Sequence, residues 1–203
     1  AGKTVIAKKI SKYFNSPVLF SGQLYRSIAL LMIKKKIRQQ DKGNIIKCIN
    51  EIKNLELSTH DLYTAEIDKL SSTISTKKYV RDNLLKLQRG FPLQFPKRTK
   101  FCIIEGRDIG TVVFPEADHK FFMWANADIR AQRRLVQYLK NGKKARLNKI
   151  YEEILKRDRK DFNRKIAPLK PAVNSVLLDT SYLDIEQVFK AIHEVLINKI
   201  NDK

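Results

Sequence analysis

The 203-residue sequence predicts an α/β fold, a parallel sheet flanked by helices, and three observations carry that prediction. Short continuous apolar runs at Pro17–Phe20, Phe101–Ile104, Lys120–Ala125 and Ser175–Leu178 read as buried strands. Helix-period segments follow at Leu24–Lys35, Asp128–Lys140 and Ile185–Ile200, the last with apolar residues at Val188, Ile192, Val195 and Ile200. Apolar strands alternating with amphipathic helices are the pattern of a parallel sheet covered on both faces. Thirdly, the residues with marked chemistry fall just beyond strand ends, where such sheets bind their ligands.

Taken in order, the chain opens with Ala1-Gly2-Lys3-Thr4 running into a helix over Val5–Tyr13. This is the tail of a G-x-x-x-x-G-K-[ST] phosphate-binding loop, whose first glycine and strand are expected ahead of Ala1. In such a loop, backbone N–H groups and the helix N-terminus cradle phosphate oxygens. Lys3 would reach the β and γ phosphates and Thr4 would bind Mg²⁺ through its hydroxyl. Half a motif, taken alone, arises as readily by chance. If the loop is indeed longer, the intact protein weighs more than the 23.6 kDa of these residues.

After the first apolar run comes Ser21-Gly-Gln-Leu-Tyr25-Arg26. Ser21 is placed to cap the following helix, and Arg26, one turn in, to reach back toward a phosphate. Asp41–Arg98 lacks the strand–helix rhythm and reads as mainly helical. The run Phe101-Cys-Ile-Ile-Glu105-Gly106-Arg107-Asp108-Ile-Gly110-Thr-Val-Val-Phe-Pro115 follows. Here a strand ends in the acid Glu105, where the water on a Mg²⁺ would sit, and Gly106 and Gly110 permit close backbone approach. A surface Arg–Asp pair in a tight turn is the plainer alternative. Arg130, Arg133 and Arg134 share one helix, where a nucleic-acid stripe and an ATP-phosphate clamp look alike. Asn141–Arg164 reads as almost wholly charged helix. Arg157, Asp161 and Arg164 recur at four- and three-residue spacing on one face, either as a site or as a solvated ion-pair ladder.

Composition narrows the classes. With 43% hydrophobic residues the chain can bury a core, and its longest apolar runs fall far short of the ~20 residues of a membrane span. No charged-then-apolar leader is visible. Cys48 and Cys102 form no CxxC and have no nearby His, so neither zinc nor redox chemistry is predicted, and a cytoplasmic setting is expected. The formal charge of +20 sets 41 basic residues, 28 Lys and 13 Arg, against 21 acidic ones. Much of it reads as solvated lysine background, whereas arginine, with its planar fork, is the better phosphate clamp.

Arranged in this order, the segments SGQLYR, EGRDIGTVVFPEA, RAQRR, RDRKDFNRKIAPL and LDT…DIEQV closely resemble the bacterial cytidylate kinases, from the first residue to about Val195. The resemblance implies a P-loop kinase with a five-stranded parallel sheet, in one domain of residues 1–203. Its core would comprise 1–35, 99–127 and 165–203, with a nucleotide-binding insert at 36–98 and a helical lid at 128–164. It implies transfer of the γ-phosphate of ATP, carried with Mg²⁺, to CMP or dCMP, in a cytoplasmic monomer with neither nucleic-acid nor membrane partner.

Residue by residue, the resemblance gives Lys3 the ATP phosphates beside Gly2 and Thr4, and Ser21 and Arg26 the CMP phosphate with Tyr25 packed nearby. Ser72, Arg81 and Arg164 fall on cytosine recognition. Arg107 clamps the phosphate under attack, Asp108 orders the metal and arginine network, and Arg157 and Asp161 hold the pentose. Arg130, Arg133 and Arg134 lie at the lid base, near the ATP phosphates.

Three positions depart from the family. Glu105 replaces a more usual Asp, and Lys160 and Phe162 replace an arginine and a small polar residue. Between Leu57 and Thr64 the chain is shorter than the family's sheet-forming insert. Either that hairpin is trimmed or residues are missing near Ser58–Leu62, and the second reading is preferred. Two rivals remain at this point. One is a UMP or AMP kinase, which would lack the SGQLYR and GRDIGTVVFP blocks. The other is a basic nucleic-acid-binding protein, which would interleave aromatics with its cations.

Overall fold

The computed structural model describes residues 2–52, 62–97, 99, 101–140, 142 and 144–201, the side chains of 198–201 excepted. The segment shortened relative to the family, Leu57–Thr64, falls largely outside them. The elements run α1 (Lys3–Phe14), β1 (Val18–Phe20), α2 (Ser21–Lys34), α3 (Lys42–Glu51), α4 (Ala65–Ile74), α5 (Lys78–Gly90), β2 (Ile103–Glu105), β3 (Phe121–Trp124), α6 (Ala127–Lys140), α7 (Leu147–Asn163), β4 (Val176–Asp179) and α8 (Ile185–Asn201). The fold is mixed α/β, and every strand pair described is parallel. β1 pairs β2 with Phe20 opposite Glu105, and β3 pairs β4 with Trp124 opposite Asp179. Each apolar run read as a strand overlaps one, with ends displaced by no more than two residues. None of the described helices is long and apolar enough to cross a membrane.

The chain divides into two compact units, residues 16–106 and residues 1–15 with 107–203. In the first unit, α2 carries the core, burying Ile28, Ala29, Leu30, Leu31 and Met32. Ile45, Cys48 and Ile49 of α3, Ile67 and Ile74 of α4, and Val80 and Leu84 of α5 join it, each set at helical spacing. α3 starts at an Asp41 cap that accepts the Asn44 N–H at 3.0 Å, and α4 at Thr64, which accepts the Ile67 N–H at 3.2 Å. The buried face of α5 also carries two polar residues, Arg81 and Gln88.

In the second unit, Ile6, Ala7 and Ile10 of α1 and Val188, Ile192 and Leu196 of α8 are buried on two helices packed together. Ala131 of α6 packs with Ile150 and Ile154 of α7. α8 begins in a capping box: Gln187 Oε1 accepts the Asp184 N–H at 2.9 Å while Asp184 accepts the Gln187 N–H at 2.8 Å.

Four expectations are corrected. Ser21 is not a cap: Phe20 occupies that position with no side-chain hydrogen bond, and Ser21 is the first helical residue. Its hydroxyl is taken by a distant partner instead, so the helix starts three residues earlier than its apolar period suggested. Nor is 141–164 one helix. α7 begins at Leu147 behind an extended Arg146, and it ends at Asn163. Arg164 lies just past that end with ψ 137°, because the chain turns there toward Ala167-Pro168. Lastly, β4 is less buried than its apolar sequence predicts, with Leu177 62% exposed. Its one described neighbour is β3, and a two-stranded ribbon shields little of either face.

Candidate functional site

The candidate residues fall in both units, and each cluster is described within its own. In the unit 16–106, the start of α2 is the centre. With Phe20 as an uncapped N-cap and no acid in the first turn, the first N–H groups of α2 keep the partial positive charge of a helix start. Ser21, 3% exposed, sits there and its Oγ accepts the side-chain amide of Gln88 at 2.6 Å. One turn on, Arg26 donates to the Leu62 carbonyl at 2.9 Å, forms an ion pair with Asp68 and lies 4.7 Å from the Tyr63 ring centroid. Its guanidinium is thus held on three sides near the α2 start. Tyr25 packs against the apolar core. Arg81 is buried on α5 and donates to the Ser75 carbonyl at 3.1 Å, while the carbonyl of Ser72 accepts the Ser75 hydroxyl at 2.9 Å. Two of the three candidates for base recognition, Arg81 by its side chain and Ser72 by its carbonyl, therefore both contact Ser75 at the α4–α5 turn. Glu105 ends β2, opposite Phe20.

In the other unit, Gly2 caps α1 in the left-handed region at φ 86°, a conformation that favours glycine, and neither a side-chain cap nor an acid occupies the first turn. Lys3 and Thr4 open that helix. Beyond β2, Asp108 is buried and its carbonyl accepts the Val112 N–H at 2.9 Å and the Val113 N–H at 3.4 Å, opening a single π-helical turn over Ile109–Val113. A Cβ on Gly110 would come within 3.1 Å of the Ala172 Cβ, so the close approach expected of this glycine is present.

Arg107 forms an ion pair with Asp161 of α7, and Arg164 lies 3.7 Å from the other oxygen of the same carboxylate. The side chain of Arg164 is 7% exposed, and its Nε donates to the carbonyl of Ala167. Ala167 holds φ 50°, a left-handed conformation costly for a residue with a Cβ, which turns that carbonyl toward the guanidinium. The Leu169 N–H then closes the turn on the Asp161 carbonyl at 2.9 Å. Two guanidinium groups thus share one buried carboxylate.

The lid-base arginines are also engaged. Arg130 forks onto Asp158 through both Nη atoms, at 3.1 and 2.6 Å, and donates to the Ala125 carbonyl at 2.8 Å. Arg133 binds the carbonyls of Thr180, Ser181 and Leu183 at 2.7, 3.2 and 3.1 Å, fastening the loop after β4. Arg134 donates to the Tyr138 hydroxyl at 3.1 Å. Arg157 is half-buried on α7.

Sequence reasoning missed four of these partners. Gln88 leaves a trace as a polar residue on the Val80–Leu84 stripe, and Asp158 is hidden in a charge run. Asp68 and Tyr63 leave none. A concavity of about 500 Å³ at the α2–α3 turn, lined by Lys35, Ile37, Arg38 and Asp41 among others, includes no candidate residue.

Among the described residues no group of three His, Cys, Asp or Glu could hold a metal ion by itself.

Parallel strand pairs between helices, in both units, define a mixed α/β protein. Comparison with known proteins narrows that class. The cytidylate kinase family model matches residues 1–198. The chain is 36% identical over 200 residues to the cytidylate kinase of Acidiphilium cryptum, covering 98% of this chain and 92% of that protein. It is 39% identical over 201 residues to that of Rickettsia akari, covering 98% and 89%, and 33% identical over 214 residues to that of Phytoplasma mali, covering 98% and 90%. The chain belongs to the cytidylate kinase family.

Proposed function

We propose that the protein is an ATP-dependent kinase that transfers the γ-phosphate of ATP to CMP or dCMP, giving ADP and CDP or dCDP. The observation that carries this reading is the family match over residues 1–198, a span that includes every residue given a role here. In this reading Gly2, Lys3 and Thr4 hold the ATP phosphates, assisted by Arg130, Arg133 and Arg134. Ser21 and Arg26 hold the acceptor phosphate beside Tyr25, and Ser72, Arg81 and Arg164 read cytosine. Arg157 and Asp161 hold the pentose, Arg107 clamps the phosphate under attack, and Asp108 orders that arginine.

Phosphoryl transfer demands alignment of donor and acceptor more than covalent work. Two unit negative charges ~4 Å apart repel by ~4 kcal/mol at an effective dielectric near 20. Fixed guanidinium and ammonium groups offset that repulsion and spread the transition-state charge. No general base is required when the acceptor phosphate arrives ionised. Mg²⁺, when bound with ATP near Thr4 and Glu105, supplies further charge neutralisation.

The finer architecture that goes with this reading is a five-stranded parallel P-loop sheet, with residues 36–98 as the nucleotide-binding insert and 128–164 as a lid that excludes water. A cytoplasmic monomer without nucleic-acid or membrane partners completes it. The test is ADP release, coupled to a spectroscopic readout, with CMP, dCMP, UMP and AMP in turn. Turnover on CMP and dCMP well above that on UMP and AMP is expected. Preference for UMP or AMP would replace the reading.

A further inference from the structure

We infer that Gln88 is a positioning residue for the acceptor phosphate, acting by fixing the direction in which the Ser21 hydroxyl donates. The inference deepens the proposed function and rests on its placement of Ser21 against that phosphate.

A serine hydroxyl has one proton to give and two lone pairs to receive with. Here one lone pair is filled by the Gln88 Nε2–H at 2.6 Å. Both residues are 3% exposed, so bulk water does not compete for that bond. No protein acceptor among the described residues takes the Ser21 proton, which therefore remains free to be donated. An anion at the start of α2 is the partner such a proton suits, because the uncapped first turn already favours negative charge there.

A neutral donor is what the second position requires. A carboxylate at 88 would take the serine proton for itself and repel a phosphate, and an apolar side chain would let the hydroxyl rotate. Gln88 reaches Ser21 from α5, 67 residues along the chain, so the bond also ties the phosphate-facing helix start to the helix that carries Arg81.

The experiment compares Gln88→Met, Gln88→Glu and Ser21→Ala with the wild-type protein, measuring KM for CMP, KM for ATP, kcat and melting temperature. Gln88→Met should raise KM for CMP about tenfold, the usual cost of losing one buried hydrogen bond, and leave KM for ATP within about twofold. Adding Gln88→Met to Ser21→Ala should raise KM for CMP no further, because glutamine acts through serine.

Gln88→Glu gives a readout that packing alone does not move. Its KM for CMP, divided by the wild-type value at the same pH, should be near one where the glutamic acid is protonated and climb once it ionises. If Gln88→Met melts early, that pH dependence decides the question. If Ser21→Ala raises KM for CMP while Gln88→Met does not, or if the Gln88→Glu ratio is flat, the inference falls and the proposed function stands. If Ser21→Ala leaves KM for CMP unchanged, the placement of Ser21 itself is wrong and the inference goes with it.

Discussion

At the scale of the residue, the buried arginines of this chain behave differently from its exposed lysines. The side chain of Arg164 is 7% exposed, whereas the ion-paired Lys78 is 73% exposed. A buried guanidinium is held by several partners and reaches a ligand without losing much side-chain freedom, whereas an exposed ammonium is screened and mobile. Arg107 is half-buried, but its partner Asp161 is buried and shared with Arg164. Arg107→Ala should lower turnover by orders of magnitude in steady-state assays, because a fixed charge on the transferring group is lost. Turnover near the wild-type value would take Arg107 out of the reaction centre. Arg81 makes a contrasting prediction. Held by Ser75 at the α4–α5 turn, it is proposed to read the base. Arg81→Ala should therefore raise KM for CMP far more than KM for ATP, and equal effects on both would contradict that role.

At the scale of the element, helix ends divide into two kinds. α3, α4 and α8 are closed by their own side chains, while α1, α2, α5 and α7 begin without a side-chain cap. A cap is a testable stabiliser, and Asp41 is the clearest. The backbone N–H and then the side-chain amide of Asn44 hold its carboxyl below the usual carboxylate range, with a smaller contribution from the charge of Lys47. Because the folded pKa is depressed, the stabilisation is present above the unfolded value near 3.9 and disappears as pH falls through the lower folded one. Asp41→Ala should thus melt a few degrees below the wild-type protein at neutral pH, and the gap should close in acid, below about pH 4. A gap independent of pH would mean the carboxylate charge contributes nothing.

The elements themselves were readable where the pattern is local. The four apolar runs marked the strands, and 3.6-residue periodicity marked α2, α6 and α8, because both signals live within one turn or one pleat. The bond from Gln88 to Ser21 spans 67 residues, and the fork of Arg130 onto Asp158 spans 28, so no window of sequence contains either. The same long reach explains the error at Ser21, whose composition signals a cap until the glutamine from α5 is known.

At the scale of the whole molecule, the question is what a formal charge of +20 does. A cationic surface attracts any polyanion and also repels itself, and salt weakens both effects. Raising ionic strength from about 0.01 M to 0.15 M shortens the Debye length from ~30 Å to ~8 Å. The melting temperature should therefore rise over that range, as exposed lysines cease to repel one another. Single-stranded RNA should be held on filters at the low salt and released at the high, because the attraction is to charge alone. A true single-strand site adds aromatic platforms, and of the aromatics within the arginine-rich segments Tyr138 is committed to Arg134 while Phe162 stands exposed on α7. Nucleotide binding should respond differently: KM for CMP should change only a few-fold across the same range, because Arg81 and Arg164 are buried, and buried pairs are screened far less than exposed ones. RNA retained tightly at 0.15 M salt, with KM for CMP following the same steep salt slope, would show that the exposed lysines rather than the buried arginines govern what this protein binds.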